Sequence, residues 1–191
     1  MITTKEQLKA CLQLEKSYYL PKHRALEWRL TSDNSYKLYQ FTKLLRKTEF
    51  YYNTRSNPIH KVLYGWFRRR KNILGRKLGI ELWENSFEKG LIIAHAGNIV
   101  VNGHSRIGEN CILHGSNCIG NDGLSSPTPR IGNNVRIGVG AKIIGDVELA
   151  DNIIVAAGAV VVKSCLTKGA VLAGVPAKVV KVLEQEEPKD E

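Results

Sequence analysis

A six-residue repeat in the second half of the chain constrains the fold more than any other feature. From Val101 to Val161 a leucine or branched aliphatic residue recurs every six positions, with a single omission. The fourth residue after it is again small or branched, as in Cys111, Val135 and Ala141. Neither the turn of a helix nor the two-residue alternation of a strand produces this period. An ordinary amphipathic helix or strand is therefore excluded for this half of the chain.

The period predicts a parallel β-helix. In that architecture each hexad supplies one short strand and one tight turn, three hexads complete a triangular coil, and like residues stack in successive coils. The aliphatic residue fills the interior of the prism. The small residue that often follows it, as in Ile107-Gly108 and Ile137-Gly138, lets the corner close. We predict this domain over residues 79–180.

The one omission in the repeat falls between Ile119 and Ile131. Position 125 is not aliphatic, and the segment 120–130 contains two prolines and a cluster of glycine and serine. This composition predicts a loop ejected from the prism. Because loops on a rigid scaffold often carry substrate contacts, the segment is a candidate part of an acceptor site.

The first 78 residues follow a different pattern. Apolar and aromatic residues recur at helical spacings, and Thr4 followed by Gln7 is typical of a capping box. Breaks at residues 31–35 and 56–58 divide the segment, so we predict three helices. All 14 aromatic residues lie at or before Phe87. A narrow prism has no room for rings, which explains why they stop there.

Charge divides the chain in the same place. Residues 1–78 contain 18 basic and 5 acidic side chains, whereas residues 79–191 contain 10 and 13. A basic segment favours nucleic acid or an anionic membrane as partner, and the alternatives are a solvated helical surface or an acidic ligand. The cluster 66–71, WFRRRK, suits a peripheral contact with the inner face of a membrane. The last segment, 181–191, is an acidic tail.

Missing motifs exclude several classes of protein. The four cysteines share no C-x-x-C spacing and the start has no apolar leader, so we expect a cytoplasmic protein with reduced thiols. The five histidines have no spacing typical of a metal site, and there is no phosphate-binding loop or serine nucleophile elbow. We therefore expect no metal. The aromatic signatures of RNA-binding modules are also absent, which argues against nucleic acid.

Three stretches together resemble a known family. They are residues 91–101 (LIIAHAGNIVV), the hexads, and residues 172–178 (LAGVPAK). Their order is similar to that of the serine acetyltransferase branch of the hexapeptide-repeat acyltransferases, a branch that includes capsular and exopolysaccharide O-acetyltransferases. The resemblance covers roughly residues 79–180. It implies a mainly β fold, a left-handed parallel β-helix with an N-terminal α-helical segment, acetyl-CoA as co-substrate and a homotrimer.

The resemblance also implies roles for individual residues. His95 matches the general base, which takes the proton of the acceptor hydroxyl as its oxygen attacks the thioester. Glu81 matches the carboxylate that orients this ring if one residue is deleted between them, and Glu84 is the alternative. CoA in the family lies in the groove between neighbouring prisms. The matching positions here are Gly138, Val139, Ala156, Ala157, Lys163 and Lys178.

Two departures from the family bear on the acceptor. Serine acetyltransferases have Asp directly before the catalytic histidine and an Arg-His-Pro triplet at the end of the loop, whereas this chain has Ala94 and Pro127-Thr128-Pro129. Because serine would lose partners for both of its charged groups, it is disfavoured as acceptor.

We therefore expect an O-acetyltransferase that acts on a sugar hydroxyl of a surface polysaccharide, capsular or exopolysaccharide, or of its precursor. The alternatives are a serine O-acetyltransferase of cysteine biosynthesis and a non-enzymatic basic binding module. Sugars are usually recognised by neutral polar groups and apolar faces. Side chains near the loop that could contact a sugar are His114, Asn117, Asn121 and Asp122.

Overall fold

The structure, a computed structural model, describes residues 1–21, 23–124 and 127–183. The helices of the described part are α1 Lys5–Tyr19, α2 Ala25–Leu30, α3 Asn34–Asn53 and α4 Pro58–Leu78. The sequence predicts three, so α2 is an addition. It has only six residues, and so short a segment cannot repeat the helical period.

The helices begin at residues that cap them. At α1 the Thr4 hydroxyl accepts from the Gln7 amide (3.2 Å), and the Gln7 side chain accepts from the Thr4 amide (3.1 Å), which confirms the predicted capping box. The Asp33 and Asn57 side chains cap α3 and α4, at the two predicted breaks. Helix α4 ends at Gly79, whose φ of +66° is in the left-handed region that favours glycine.

After α4 the chain forms short strands. They are β1 Ile80–Glu81, β2 Ile92–Ile93, β3 Ile99–Val101, β4 Arg106–Ile107, β5 Ile112–Leu113, β6 Cys118–Gly120, β7 Arg130–Ile131, β8 Arg136–Ile137, β9 Lys142–Ile144, β10 Glu148–Leu149, β11 Ile154–Val155, β12 Val160–Val161, β13 Ala170–Gly174 and β14 Ala177–Val182.

The strands assemble into three sheets, one on each side of a prism. The orders are β1-β3-β6-β9-β12, β4-β7-β10 and β2-β5-β8-β11-β13-β14. The pairs are parallel except β13–β14, which is antiparallel. Paired residues such as Ile137 and Val155 lie 18 positions apart, so three strands complete one coil. The structure confirms the predicted parallel, mainly β fold preceded by helices.

Side chains of the three sheets form stacked columns inside the prism. Each predicted aliphatic position from Val101 to Val161 is buried. Phe87 is also buried and bridges Ile107, so one ring does occupy the interior. The exclusion of rings therefore begins one coil later than predicted, because the first coil faces the helices rather than another coil. The columns are Val101-Ile119-Ile143-Val161, Phe87-Ile107-Ile131-Leu149-Cys165 and Ile93-Leu113-Ile137-Val155-Leu172.

The predicted loop adds one hexad to its coil. Ile107 pairs with Ile131, 24 positions later, whereas Ile131 pairs with Leu149, 18 positions later. The additional residues belong to segment 120–130, which connects β6 to β7, in agreement with the prediction. Residues 125 and 126 of this segment lie outside the described residues.

Helices α1 and α3 close the open end of the prism through a buried charge network. Arg46, 1% exposed, donates to Glu15 (2.7 Å) and Glu49 (2.8 Å), which are also buried. It also donates to the carbonyls of Phe87 (2.8 Å) and Glu88 (2.6 Å) in the first coil. Burial lowers the pKa of Arg46, but Glu49 and Glu15 outweigh burial and hold that pKa well above its ordinary value. The charged network therefore ties two helices to the first coil.

Helix α1 also bonds directly to the edge of the third sheet. The Glu15 carboxylate accepts from the Leu91 amide (3.1 Å), and the Tyr19 hydroxyl accepts from the Ile93 amide. Ile93 belongs to the first strand of that sheet, β2, and Leu91 directly precedes that strand, which has no coil before it. Side chains of α1 therefore take the place of a neighbouring strand and satisfy buried backbone groups there.

The opposite end of the prism is the β13–β14 hairpin. Because β14 extends to Val182, the acidic tail predicted from residue 181 begins within a strand. Residues 184–191 of that tail lie outside the described residues. None of the described helices is long and apolar enough to cross a membrane. Within 1–21, 23–124 and 127–183 no three His, Cys, Asp or Glu side chains are grouped to hold a metal ion.

Candidate active site

His95 lies at a corner of the prism between β2 and β3. Its backbone is held on both sides, because the Ala94 amide donates to the Leu113 carbonyl (2.8 Å) and the Gly97 amide donates to the Leu78 carbonyl (2.8 Å). The side chain is exposed and has no hydrogen-bond partner in the described part of the chain. A fixed backbone with an unengaged imidazole suits a general base, which must bond to an incoming hydroxyl.

Successive coils place small residues on the same corner as His95. A Cβ on Gly115 would lie 3.4 Å from the His95 Cβ, so Gly115 stacks on His95. Val139 follows, because the amide after it donates to the Gly115 carbonyl (2.9 Å). Ala157 comes next, because the amide after it donates to the Val139 carbonyl (2.9 Å). We call His95, Gly115, Val139 and Ala157 the His95 edge; its three strand spacings span about 14 Å.

Gly138 and Ala156 flank the His95 edge. A Cβ on Gly138 would lie 2.6 Å from the Ala157 amide nitrogen, so a larger residue would displace the backbone. Val139 and Ala157 are exposed. Four of the residues predicted to bind CoA are therefore gathered on successive coils beyond His95. An extended chain can lie along this edge because no large or charged side chain interrupts it.

The two lysines predicted to bind CoA lie on different sides of the prism. Lys178 pairs with Ala173 in the β13–β14 hairpin, at the end of the sheet that precedes the His95 edge. Lys163 follows β12 and lies at another corner. Both side chains are exposed. A single chain therefore brings Lys178, but not Lys163, to the side of the His95 edge.

Of the two carboxylates considered for orienting His95, Glu81 is the one that is available. It is exposed on β1, and its strand partner is Val100, on the coil that contains His95. The described residues include no hydrogen bond between Glu81 and His95. Glu84 is buried and bound to Lys71 (2.9 Å). The alternative role given to Glu84 is therefore wrong, because its carboxylate neutralises a buried ammonium group.

Asn117 has a structural role instead of the predicted acceptor contact. Its side chain is completely buried. The amide oxygen accepts from the Gly115 amide (2.9 Å), and the amide nitrogen donates to the Gly138 carbonyl (2.7 Å). Asn117 therefore supports the His95 edge from inside the prism and cannot reach a bound acceptor.

The other predicted acceptor residues are at the surface. His114 is half-buried and directly precedes Gly115 of the His95 edge. Asn121 and Asp122 lie in the loop, where the Asp122 carboxylate accepts from the Leu124 amide (2.9 Å). The structure therefore brings His114 beside the His95 edge and leaves Asn121 and Asp122 on the loop that follows β6.

A cavity that was not predicted adjoins Glu81. It has a volume of about 250 Å³ and lies between α4 and the first coil. Arg68, Asn72 and Arg76 line it from α4, and Trp83 lines it from the coil. Residues four positions apart lie on the same face of a helix. The spacing of Arg68, Asn72 and Arg76 is therefore the sequence signal for this cavity. The run 66–71 taken alone suggests a single basic surface instead.

Part of this chain matches a known family of repeats. Residues 128–163 match the family described as "Bacterial transferase hexapeptide (six repeats)". The chain therefore carries the repeat of the hexapeptide transferases, and the predicted resemblance is confirmed at that level.

Curated proteins similar to this chain include serine acetyltransferases. That of Synechococcus elongatus is 25% identical over 132 residues, which are 63% of this chain and 54% of that protein. That of Staphylococcus xylosus is 28% identical over 133 residues, which are 64% of this chain and 61% of that protein. This chain thus spans between half and two thirds of the length of these two relatives.

Solved structures of serine acetyltransferases share the fold. The enzyme of Neisseria gonorrhoeae has a TM-score of 0.69 and 22% identity, over 96% of this chain and 72% of that one. A complex with Coenzyme A from Brucella abortus has a TM-score of 0.68 and 24% identity, over 94% of this chain and 68% of that one.

These comparisons contradict the predicted sugar acceptor. The relatives and structures named above are serine acetyltransferases, and they do not support a capsular or exopolysaccharide branch. The prediction depended on Ala94 and on residues 127–129, where the charged groups of the family are missing. A charged acceptor can be held by groups elsewhere in a site, so two positions do not decide its identity.

Proposed function

We propose that the protein is an acetyl-CoA-dependent serine O-acetyltransferase with the left-handed coil of that family. The observation that carries the proposal is the His95 edge, where one exposed imidazole precedes a line of small residues on successive coils. The Coenzyme A complex of the Brucella abortus protein supports the same donor for this chain.

In the proposed reaction His95 acts as the general base. Its neutral imidazole takes the proton of the serine hydroxyl while the oxygen attacks the thioester carbonyl of acetyl-CoA. The tetrahedral intermediate then collapses by breaking the carbon–sulfur bond. The leaving thiolate receives the proton from the imidazolium, so the products are O-acetylserine, CoA and the original neutral base.

Two further groups assist this step. Glu81, on the neighbouring winding, orients the imidazole and stabilises its charged form when the substrates close the site. Backbone amides at the prism corners donate to the developing oxyanion, which is effective because the coil fixes them in advance. His114, beside the edge, and Asn121 and Asp122 of the loop border the acceptor.

The donor in this proposal lies along the His95 edge. Gly138, Val139, Ala156 and Ala157 contact its extended arm, and Lys178 binds its phosphates. The chain forms a homotrimer in which a neighbouring prism closes the groove and contributes its own Lys163. The variant Ala157→Trp should block the arm and raise KM for acetyl-CoA at least about tenfold, whereas Val162→Trp, at the exposed position that follows β12, should not. Equal KM values in the two variants would place the donor elsewhere.

The activity is tested with the purified chain, acetyl-CoA and L-serine, by following CoA release with a thiol reagent and O-acetylserine by mass spectrometry. We expect turnover in the wild type and a loss of about 10²–10⁴-fold in His95→Asn. His104→Asn is the matched control, because His104 is an exposed histidine on a different corner. Failure of the wild type to acetylate L-serine, or near-normal turnover in His95→Asn, would refute the proposal.

A further inference from the structure

The cavity beside Glu81 contains more positive charge than the protein neutralises. Arg68, Lys71 and Arg76 of α4 line it. Lys71 is neutralised by the buried carboxylate of Glu84 at 2.9 Å. The two arginines form no ion pair with any residue in 1–21, 23–124 or 127–183. Two guanidinium groups therefore line one small cavity without an ion pair to any described residue.

Aromatic rings hold Arg68 in position. Its guanidinium lies 5.7 Å from the centroid of the Trp83 ring and 5.8 Å from that of Tyr64. Contacts with aromatic faces fix a guanidinium while leaving its N–H donors available. Asn72 lies one turn from each arginine and adds an amide to the same wall. This set of donors suits a carboxylate, because a guanidinium can bind both oxygens of one carboxylate.

The cavity also carries charge of the opposite sign. Glu81 lines it from the first coil, facing the helical wall that holds the arginines. A cavity with both signs matches a zwitterion better than a simple anion. Its volume of about 250 Å³ is below the roughly 300–1,000 Å³ of pockets for drug-sized ligands. A ligand of the size of an amino acid is therefore appropriate.

One backbone hydrogen bond connects this cavity to the corner of His95. The Gly97 amide donates to the Leu78 carbonyl at 2.8 Å. Arg76 precedes Leu78 by two residues, and His95 precedes Gly97 by two residues. The C-terminal end of α4, the helix that carries the arginines, therefore lies against the corner that carries the general base.

We propose that Arg68 and Arg76 bind the carboxylate of the acceptor amino acid while its hydroxyl is directed to His95. The inference rests on the proposed function, because it takes serine as the acceptor. It assigns a specificity role to two residues of the helical section and gives the substrate carboxylate partners that positions 127–129 do not supply.

The test compares L-serine with L-serinamide, which keeps the hydroxyl and the ammonium group but has no carboxylate. Arg68→Gln and Arg76→Gln should each raise KM for L-serine about tenfold or more. The same variants should leave KM for acetyl-CoA and kcat/KM for L-serinamide unchanged. Arg69→Gln is the matched control, since Arg69 is an exposed neighbour that does not line the cavity. Arg68→Lys, which keeps the charge, should recover part of the affinity.

The outcomes separate this inference from the function on which it rests. A wild type that does not acetylate L-serine refutes both. A wild type that does, with KM for L-serine unchanged in Arg68→Gln and Arg76→Gln, refutes the carboxylate site alone. Equal losses with L-serine and L-serinamide in folded variants, checked by circular dichroism, would also overturn it by showing a general effect on the site.

Discussion

The helical section and the β-helix bury different kinds of side chain. The interior of the prism is almost entirely aliphatic, and the columns repeat the same few residue types from coil to coil. The helical section also has an apolar core, but it buries charged groups beside that core. They are Arg46 with Glu15 and Glu49, and Lys71, which pairs with Glu84 of the first coil. The difference is one of architecture: each coil repeats the one before it, whereas each helix contact is unique.

The helices pack on the β-helix where the stack of coils begins, because the first coil has no coil before it. A coil inside the stack satisfies its backbone groups with the coils on either side. The first coil has a neighbour on one side only, and the buried polar groups of the helices supply the missing partners. The buried charges of the helical section therefore serve the β-helix. His95 lies where this first coil passes into the second, between β2 and β3, so the junction also positions the candidate active site.

The substitution Arg46→Met tests whether the buried charges hold the helices on the first coil. Removing the guanidinium leaves two buried carboxylates and two carbonyl groups without their donor. We expect the free energy of unfolding to fall by about 3–5 kcal/mol, measured by urea denaturation. The control is Arg69→Met, since Arg69 is exposed. Similar stabilities of the two variants would show that the network does not hold the junction.

The interior columns are tested by Leu113→Ala. Leu113 is fully buried between Ile93 and Ile137 of the adjacent coils, so truncation leaves a cavity. The expected loss in the free energy of unfolding is about 2–5 kcal/mol. Ile112→Ala, the preceding residue on the same strand, points outwards and should lose less than half as much. Equal losses would contradict the inward and outward alternation of the coil.

The β-helix could be predicted from sequence to a degree that the helical section could not. A period of six assigns each residue to the interior, a corner or a face, so the columns and the His95 edge follow once the phase is known. The network of Arg46 has no such signal, because it joins residues up to 42 positions apart with no repeat between them. The ring of Phe87 within the first coil shows where the regular pattern ends.

The residues of the candidate site differ in the same way in how far the repeat predicts them. His95 and the residues that flank the His95 edge were predicted because they occupy repeat positions. The assignments of Glu84 and Asn117 were wrong because burial decides whether a polar side chain serves the fold or a ligand, and spacing does not report burial. The arginines of the cavity were overlooked for a related reason: their common face exists only where α4 packs on the first coil.

A smaller effect is expected from Tyr19→Phe. The hydroxyl accepts a hydrogen bond from the Ile93 amide, and its removal leaves that buried amide without a partner. The free energy of unfolding should fall by about 1–3 kcal/mol. Acetyl transfer should also slow, since Ile93 is two residues from His95. Tyr39→Phe is the control, because its half-buried hydroxyl makes no hydrogen bond to the described residues. If both variants lose equal stability, the edge of β2 does not depend on α1.

The smallest effect we predict appears at alkaline pH and concerns one thiol in each region. Burial raises the pKa of Cys111, in the prism, to about 12. The pKa of Cys11, in α1, is also raised to about 12 by burial, with Arg46 opposing and Glu15 and Glu49 adding to the rise. In the unfolded chain each thiol ionises near its ordinary pKa of about 8.5.

A thiol with a raised folded-state pKa contributes stability below its unfolded pKa and loses it as the pH rises towards 12. At pH 9.5 the loss should be about 1 kcal/mol for each thiol. Urea denaturation at pH 7 and pH 9.5 measures this loss in the free energy of unfolding. Cys111→Ala and Cys11→Ala should each abolish the part of the loss that comes from the substituted thiol. Because both folded-state pKa values lie far above 9.5, the loss at that pH is set by the unfolded-state pKa, and the two thiols should contribute equally despite their different surroundings. A contribution near zero for either cysteine would mean that burial does not keep its thiol protonated in the folded protein.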